Sequence, residues 1–165
     1  MRPLSSILRR RRKGDALRIS GWATFFWAED CQAKVIAAGA FSEFLDSTPP
    51  YRQMYHAHEL NLGSIGVWDY IAADSAGLYV SGVIRPDNEL GGSTIQRVLL
   101  GDMRALSIGH NEYEIFETAG GALVTSRSEL IEISICEEGA MPGAIITDYK
   151  WIKSPFSGDP EYAEI

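Results

Sequence analysis

The sequence predicts a β-rich single domain: a β-barrel with short peripheral helices packed outside it. Three observations carry this. The chain has 165 residues, 45 % hydrophobic and 22 % charged, ordinary values for one globular unit with a core of its own. Several segments are rich in β-branched and aromatic residues and are separated by turn signals. Only two stretches repeat apolar residues at a spacing of three to four.

The elements follow in order. Residues 1–14 form a basic arm that ends at Gly14. Residues 16–27 (ALRISGWATFFW) read as one strand bent at Gly21. Residues 38–46 read as a short helix with Ala40, Phe41, Phe44 and Leu45 on one face, stopped by Pro49 and Pro50. Residues 51–58 and 64–72 read as strands. Asp74, Ser75, Ala76 and Gly77 then turn the chain into a returning strand, 78–84. Residues 93–103 read as a helix capped by Ser93, with Ile95, Val98 and Leu99 as its buried stripe. Residues 105–117 make a strand, 119–121 a turn, and 122–136 one or two further strands. These define a core unit, 15–149, followed by a flexible C-terminal tail, 150–165, in which Pro155, Gly158 and Pro160 interrupt any regular element.

Charge is placed unevenly. Residues 1–13 carry six basic side chains and no acid, whereas the whole chain has a net charge of −7, so the remainder sums to −13. An acidic body argues against a dedicated nucleic-acid reader. The arm reads as a solvated basic run, and its contact with nucleic acid or an acidic scaffold stays open. The two cysteines, Cys31 and Cys136, have neither the number nor the spacing of a disulfide framework or a zinc site, so reduced thiols in an intracellular compartment are expected. No run of 18 apolar residues exists, and the N-terminus lacks the apolar stretch of a secretory signal, so neither membrane insertion nor secretion is expected.

Hydrolysis by a serine needs a base to take the hydroxyl proton, a group to orient that base, and donors for the oxyanion. Three histidines limit the choice of base. His56 and His58 lie two apart on an expected strand and so share a face. His110 lies three residues after Ser107 and faces the opposite side of a regular strand. On this ground His56 and His58 both remain candidates. Other polar groups have plainer readings. Cys136 sits in an apolar strand followed by acids, which raise a thiol pKa, so it reads as an inert buried cysteine. Ser134 reads as a packed strand serine, and Asp69, Asp74 and Asp102 as residues of turns or solvated faces.

Several blocks, in order, resemble the prohead maturation protease family of tailed phages, which is related in fold to the herpesvirus maturation proteases. Ile19-Ser20-Gly21-Trp22-Ala23 resembles its opening strand, and Ala38-Gly39-Ala40-Phe41 the start of the following helix. Met54-Tyr55-His56-Ala57-His58-Glu59 resembles the segment ending in a histidine and an acid, and Ser64-Ile65-Gly66-Val67-Trp68 the next strand. Gly77-Leu78-Tyr79-Val80 resembles the hairpin return, Leu106-Ser107-Ile108-Gly109 the nucleophile block, and Leu130-Ile131-Glu132-Ile133-Ser134-Ile135 the late strand, with Ala140-Met141-Pro142 as its ending. The chain departs from the family pattern at Ser64, at His110 and over Cys136–Gly139.

The resemblance implies a herpesvirus-protease-like fold and a serine endopeptidase with Ser107 as nucleophile, His58 as base and Glu132 as the orienting acid. It implies no metal or organic cofactor, and leaves the oxyanion donors as unnamed backbone N–H groups. The implied partners are phage scaffold and major capsid protein as substrates, cleaved inside the prohead in the host cytoplasm, with self-processing. Association between copies of the chain stays open. Two rival readings are a catalytically inactive assembly module of the same fold, and a metal-binding β-barrel using His56 and His58, for which His110 is the sole candidate as a distant third histidine.

Overall fold

The computed structural model describes residue 12, residues 14–45 and residues 52–156. Most of the basic arm, the stop at 47–50 and residues 157–165 of the expected tail lie outside the described residues. The elements are β1 (Asp15–Phe25), β2 (Lys34–Ile36), α1 (Ser42–Leu45), β3 (Gln53–His56), β4 (Gly66–Ala73), β5 (Gly77–Ile84), α2 (Glu89–Leu100), β6 (Ala105–Glu117), β7 (Leu123–Cys136) and β8 (Ile146–Lys153).

All eight strands join one sheet. β1 lies antiparallel between β5 and β8, β4 joins β5 to β3, and β3 runs parallel to β7. β7 carries β6 antiparallel along its length and the short β2 in parallel near its start. The expected barrel is not closed. Between β6 and β8 there is an isolated bridge, Ala105 with Ile145, rather than a strand ladder. Two backbone bonds accompany it, Leu106 N–H to the Ala144 carbonyl (2.9 Å) and Ile146 N–H to the Arg104 carbonyl (2.8 Å). The physical reason lies in the approach to β8. Pro142 has no N–H to donate, and Gly143 takes φ +82°, so the chain turns there instead of extending a ladder. The bend expected at Gly21 coincides with this crossing: β1 changes register there, and a Cβ on Gly21 would lie 2.1 Å from the Ile145 carbonyl oxygen.

The inner face of the sheet holds the core. Leu17, Ile19, Met54, Trp68, Leu106 and Ile133 are buried in one cluster, and burial of each aliphatic side chain contributes about 1.5–3 kcal/mol. The Trp68 indole N–H donates to the Ile133 carbonyl at 3.0 Å, so the largest ring of the core is also paired.

Several expected boundaries move. α2 begins at Glu89 rather than residue 93, because Asn88 is the N-cap and its side chain accepts from Gly91 N–H at 3.1 Å. Gly91 is needed for space: a Cβ there would lie 2.3 Å from the Arg85 carbonyl oxygen. Ile95, Val98 and Leu99 are buried, as the periodicity indicates. The helix expected over 38–46 is reduced to the four residues of α1, because Gly39 at φ +87° and tight turns closed by Ala40 N–H and Ser42 N–H precede it. Residues 122–136 contain the single strand β7. The tail boundary at 149 falls inside β8, whose Lys150–Lys153 pair with Asp15–Arg18 of β1. β2 has no counterpart in the sequence reading.

Candidate active site

The β6–β7 hairpin supplies half of the site by register. Ser107 stands opposite Ser134, and Gly109 opposite Glu132. Since strand side chains alternate, these four positions form a square on one face, while Leu106, Ile133 and Ile135 face the core. The Glu132 side chain lies across Gly109. A Cβ at 109 would stand 2.5 Å from Glu132 Oε1 and 3.0 Å from its Cγ, so this glycine leaves room for a carboxylate. Glu132 is only 3 % exposed.

β3 supplies the rest. It pairs with β7 up to His56, where the strand ends. Ala57 and His58 then take φ +48° and +63°, left-handed values rare for residues with a Cβ. Two bonds to β7 hold them: Ala57 N–H donates to the Ile135 carbonyl at 3.0 Å, and His58 N–H donates to Ser134 Oγ at 3.1 Å. This reversal sets the His58 ring over the hairpin. Its Nε2 lies 3.0 Å from Ser107 Oγ, and its Nδ1 hydrogen-bonds Glu132 Oε1.

The two histidines therefore do not share a face, contrary to the sequence expectation, because the strand stops between them. His56 turns to α2, where its Nδ1 meets Thr94 Oγ1 at 3.0 Å. Thr94 gives its own proton to the Leu90 carbonyl (2.8 Å), so the threonine oxygen accepts and His56 Nδ1 carries the proton. Burial, then the nearby Arg97 cation, holds the His56 pKa below its ordinary value. His56 is bonded to Thr94 and His58 to Glu132 and Ser107, so the paired imidazoles of the metal-binding alternative are engaged elsewhere, and among the described residues no three His, Cys, Asp or Glu side chains are placed to hold a metal. Glu59 is exposed and precedes a 3-10 turn, Leu60–Leu62.

His110 also differs from expectation. The β6–β7 register shifts between Gly109 and His110, so strict alternation fails, and His110 lines the same cleft as Ser107. Its Nδ1 contacts Ser128 Oγ at 2.7 Å, its ring stands edge-on to Phe41, and burial lowers its pKa. Cys136 is buried at the end of β7, as the sequence reading has it, and lies beside His58. Cys31 is exposed, and its N–H donates to the Ala140 carbonyl, tying together two walls of the cleft. Asp69 pairs with Arg18, and Asp74 accepts from Ala76 and Gly77 N–H in its turn. Asp102 follows the end of α2, its N–H bonded to the Arg97 carbonyl.

The cleft has a volume of about 430 Å³, and its lining includes Asp30–Gln32, Lys34 and Glu138–Met141. Ser107 and His58 open onto it. His58 is raised above its ordinary pKa, to about 10, by the neighbouring Cys136 sulfur and by its hydrogen bond to, and attraction by, the Glu132 carboxylate, against the opposing effect of burial. A hydroxyl bonded to one imidazole nitrogen, with a buried carboxylate on the other, is an arrangement that can move a proton off the hydroxyl and hold the resulting imidazolium.

The fold has solved counterparts. KSHV protease, solved with a hexapeptide phosphonate inhibitor, superposes with a TM-score of 0.56 at 14 % identity, covering 81 % of this chain and 64 % of that one. Varicella-zoster virus protease gives a TM-score of 0.55 at 15 % identity, covering 82 % and 64 %. In sequence, the prohead protease of Enterobacteria phage HK97 is 28 % identical over 120 residues, which make up 70 % of this chain and 52 % of that protein. The chain thus spans about half the length of this relative. The profile of the caudovirus prohead serine proteases matches residues 5–154, nearly the whole chain, and the protein belongs to that family.

Proposed function

We propose that the chain is a serine endopeptidase of phage prohead maturation, with Ser107 as nucleophile, His58 as general base and Glu132 as the acid that orients the base. The observation that carries this reading is the unbroken chain Ser107–His58–Glu132, open to the cleft at the serine end and buried at the carboxylate end. His58 Nε2 takes the Ser107 proton as Oγ attacks the scissile carbonyl carbon. The imidazolium then returns the proton to the departing amine, and water hydrolyses the acyl-enzyme. Glu132 keeps the Nδ1 proton in place and stabilises the imidazolium between these steps.

The substrates are the scaffold and major capsid proteins of the prohead, cleaved within the particle in the host cytoplasm, and the enzyme trims its own chain as well. The family membership and the HK97 relative named as a prohead protease support this assignment. The test is co-expression of the chain with its cognate capsid and scaffold proteins, comparing the unmodified protein with Ser107→Ala. Shortened products are expected from the unmodified protein alone. The same products from both would overturn the reading, and intact proteins from both would favour an inactive assembly module.

A further inference from the structure

One buried hydroxyl joins both ends of the base. Ser134 is fully buried. Its Oγ accepts the backbone N–H of His58 at 3.1 Å and donates to Glu132 Oε2 at 2.6 Å. The directions are unambiguous, because an amide nitrogen only donates and an ionised carboxylate only accepts. Glu132 spends its other oxygen, Oε1, on His58 Nδ1. The bonds therefore close a ring: His58 backbone, Ser134 hydroxyl, Glu132 carboxylate, His58 imidazole. The spacing of 132 and 134 on one strand makes this ring, since residues two apart share a face.

Each link holds something that would otherwise move. His58 sits at φ +63°, a conformation that costs about 1–2 kcal/mol for a residue with a Cβ and persists only where the surroundings fix it. The bond from its N–H to Ser134 is such a constraint. The carboxylate can rotate about its last side-chain torsion, and the bond to Oε2 fixes the plane in which Oε1 meets the imidazole. Ser107 is the cross-strand neighbour of Ser134, so the same pairing sets where the imidazole points.

We infer that Ser134 is a positioning residue of the active centre, which holds His58 at its backbone and, through Glu132, at its ring, and so sets Nε2 against the Ser107 hydroxyl. The inference rests on the proposed Ser107–His58–Glu132 reading. Removing the hydroxyl frees the carboxylate plane and loosens its grip on the imidazole. The reactivity of Ser107 then falls, and His58 moves back toward its ordinary pKa, since Glu132 is one of the groups that raise it.

The test uses the full chain and a fluorophosphonate that labels activated serines, so no substrate sequence is needed. The rate of Ser107 labelling is followed against pH for the unmodified protein, Ser107→Ala, Ser134→Ala, Ser134→Cys and Thr125→Val. Thr125 is an equally buried hydroxyl on β7 that bonds Glu112, remote from His58. On the high-pH plateau, where His58 is neutral, both Ser134 variants are expected to label about tenfold to a hundredfold more slowly, the range for a misplaced reacting group, with the midpoint of the pH profile shifted downward. Thr125→Val is expected to keep the parental rate and midpoint. Parental rate and midpoint in whichever Ser134 variant folds would overturn the inference and leave Ser134 as a packed strand serine. Absence of labelling in the unmodified protein, or equal labelling of Ser107→Ala, would instead overturn the underlying reading of Ser107.

Discussion

The two ends of the β6–β7 hairpin share the same two strands but differ in construction. At the base, Ala105–Gly109 pair with Glu132–Cys136 without a register shift, and both faces are covered, one by the core and one by His58 and the cleft wall. At the tip, the register shifts twice more, and Tyr113, Ile115, Phe116 and Leu123 are about half exposed. Surface contacts hold this end: Tyr113 stacks on Phe44, and Arg127 lies over both rings while pairing with Glu43. The difference teaches where a polar reaction centre can be built. Ser107, Glu132 and Ser134 are all under 10 % exposed and all hydrogen-bonded, which demands a strand pair that does not slip. The tip has no such demand and tolerates bulges.

The sharpest break of this contrast is at the base. Ser107→Ala and His58→Ala should each lower proteolysis by about 10⁶-fold, as loss of a nucleophile or base does elsewhere, measured as product formation from the capsid protein with folding checked by circular dichroism. His56→Ala, two residues away, should retain most of the rate. Comparable loss in both histidine variants would mean that the separation by the left-handed pair has no functional meaning.

Glu132→Gln should cost about 10⁴-fold, the scale seen when an orienting acid becomes an amide, while the thermal melt shows a folded protein. Next comes Gly109→Ala. The added methyl meets the Glu132 carboxylate, and displacement of the orienting group by about 1 Å costs on the order of 10²-fold. Unchanged activity in Gly109→Ala would show that Glu132 can shift without consequence, and the argument from base rigidity would fail.

The pH dependence has a definite sign. His58 is raised to about 10 in the folded chain, and only the neutral imidazole accepts the Ser107 proton. Labelling or cleavage should therefore rise about tenfold per pH unit above neutrality and level off near the folded pKa. Stability runs the other way. A pKa raised by folding contributes stability that is fully present below the ordinary value of 6.5 and is lost as pH rises toward about 10. Chemical denaturation of parent and His58→Ala between pH 6 and 10 should show their difference shrinking as pH rises.

The smallest effect is expected at the tip. Ile115→Ser or Phe116→Ser should change proteolysis of a short peptide less than about twofold, and stability by no more than about 0.5 kcal/mol, as for most exposed sites. A large loss of activity there would join the two ends into one unit and erase the contrast.

Much of this architecture is local and was legible in the residues. Residues 105–117 and 122–136 read as strand from their residues and form β6 and β7, and the stripe of Ile95, Val98 and Leu99 marks α2. The order of the motif blocks singled out Ser107, His58 and Glu132, and the structure brings these three side chains together. Other features came from partners far along the chain. The reversal at Ala57 and His58 rests on Ile135 and Ser134, more than 70 residues away, so strand periodicity wrongly put His56 and His58 on one face. His110 enters the cleft because the register slips against β7, which no single-strand pattern encodes. β2 is three residues long and exists only by pairing with β7, and residues 150–153 become strand only because β1 offers an edge. Side-chain periodicity is a property of one segment. Positive φ, bulges, edge pairing and barrel closure depend on the hydrogen-bonding groups that another segment brings, and only the assembled sheet supplies them.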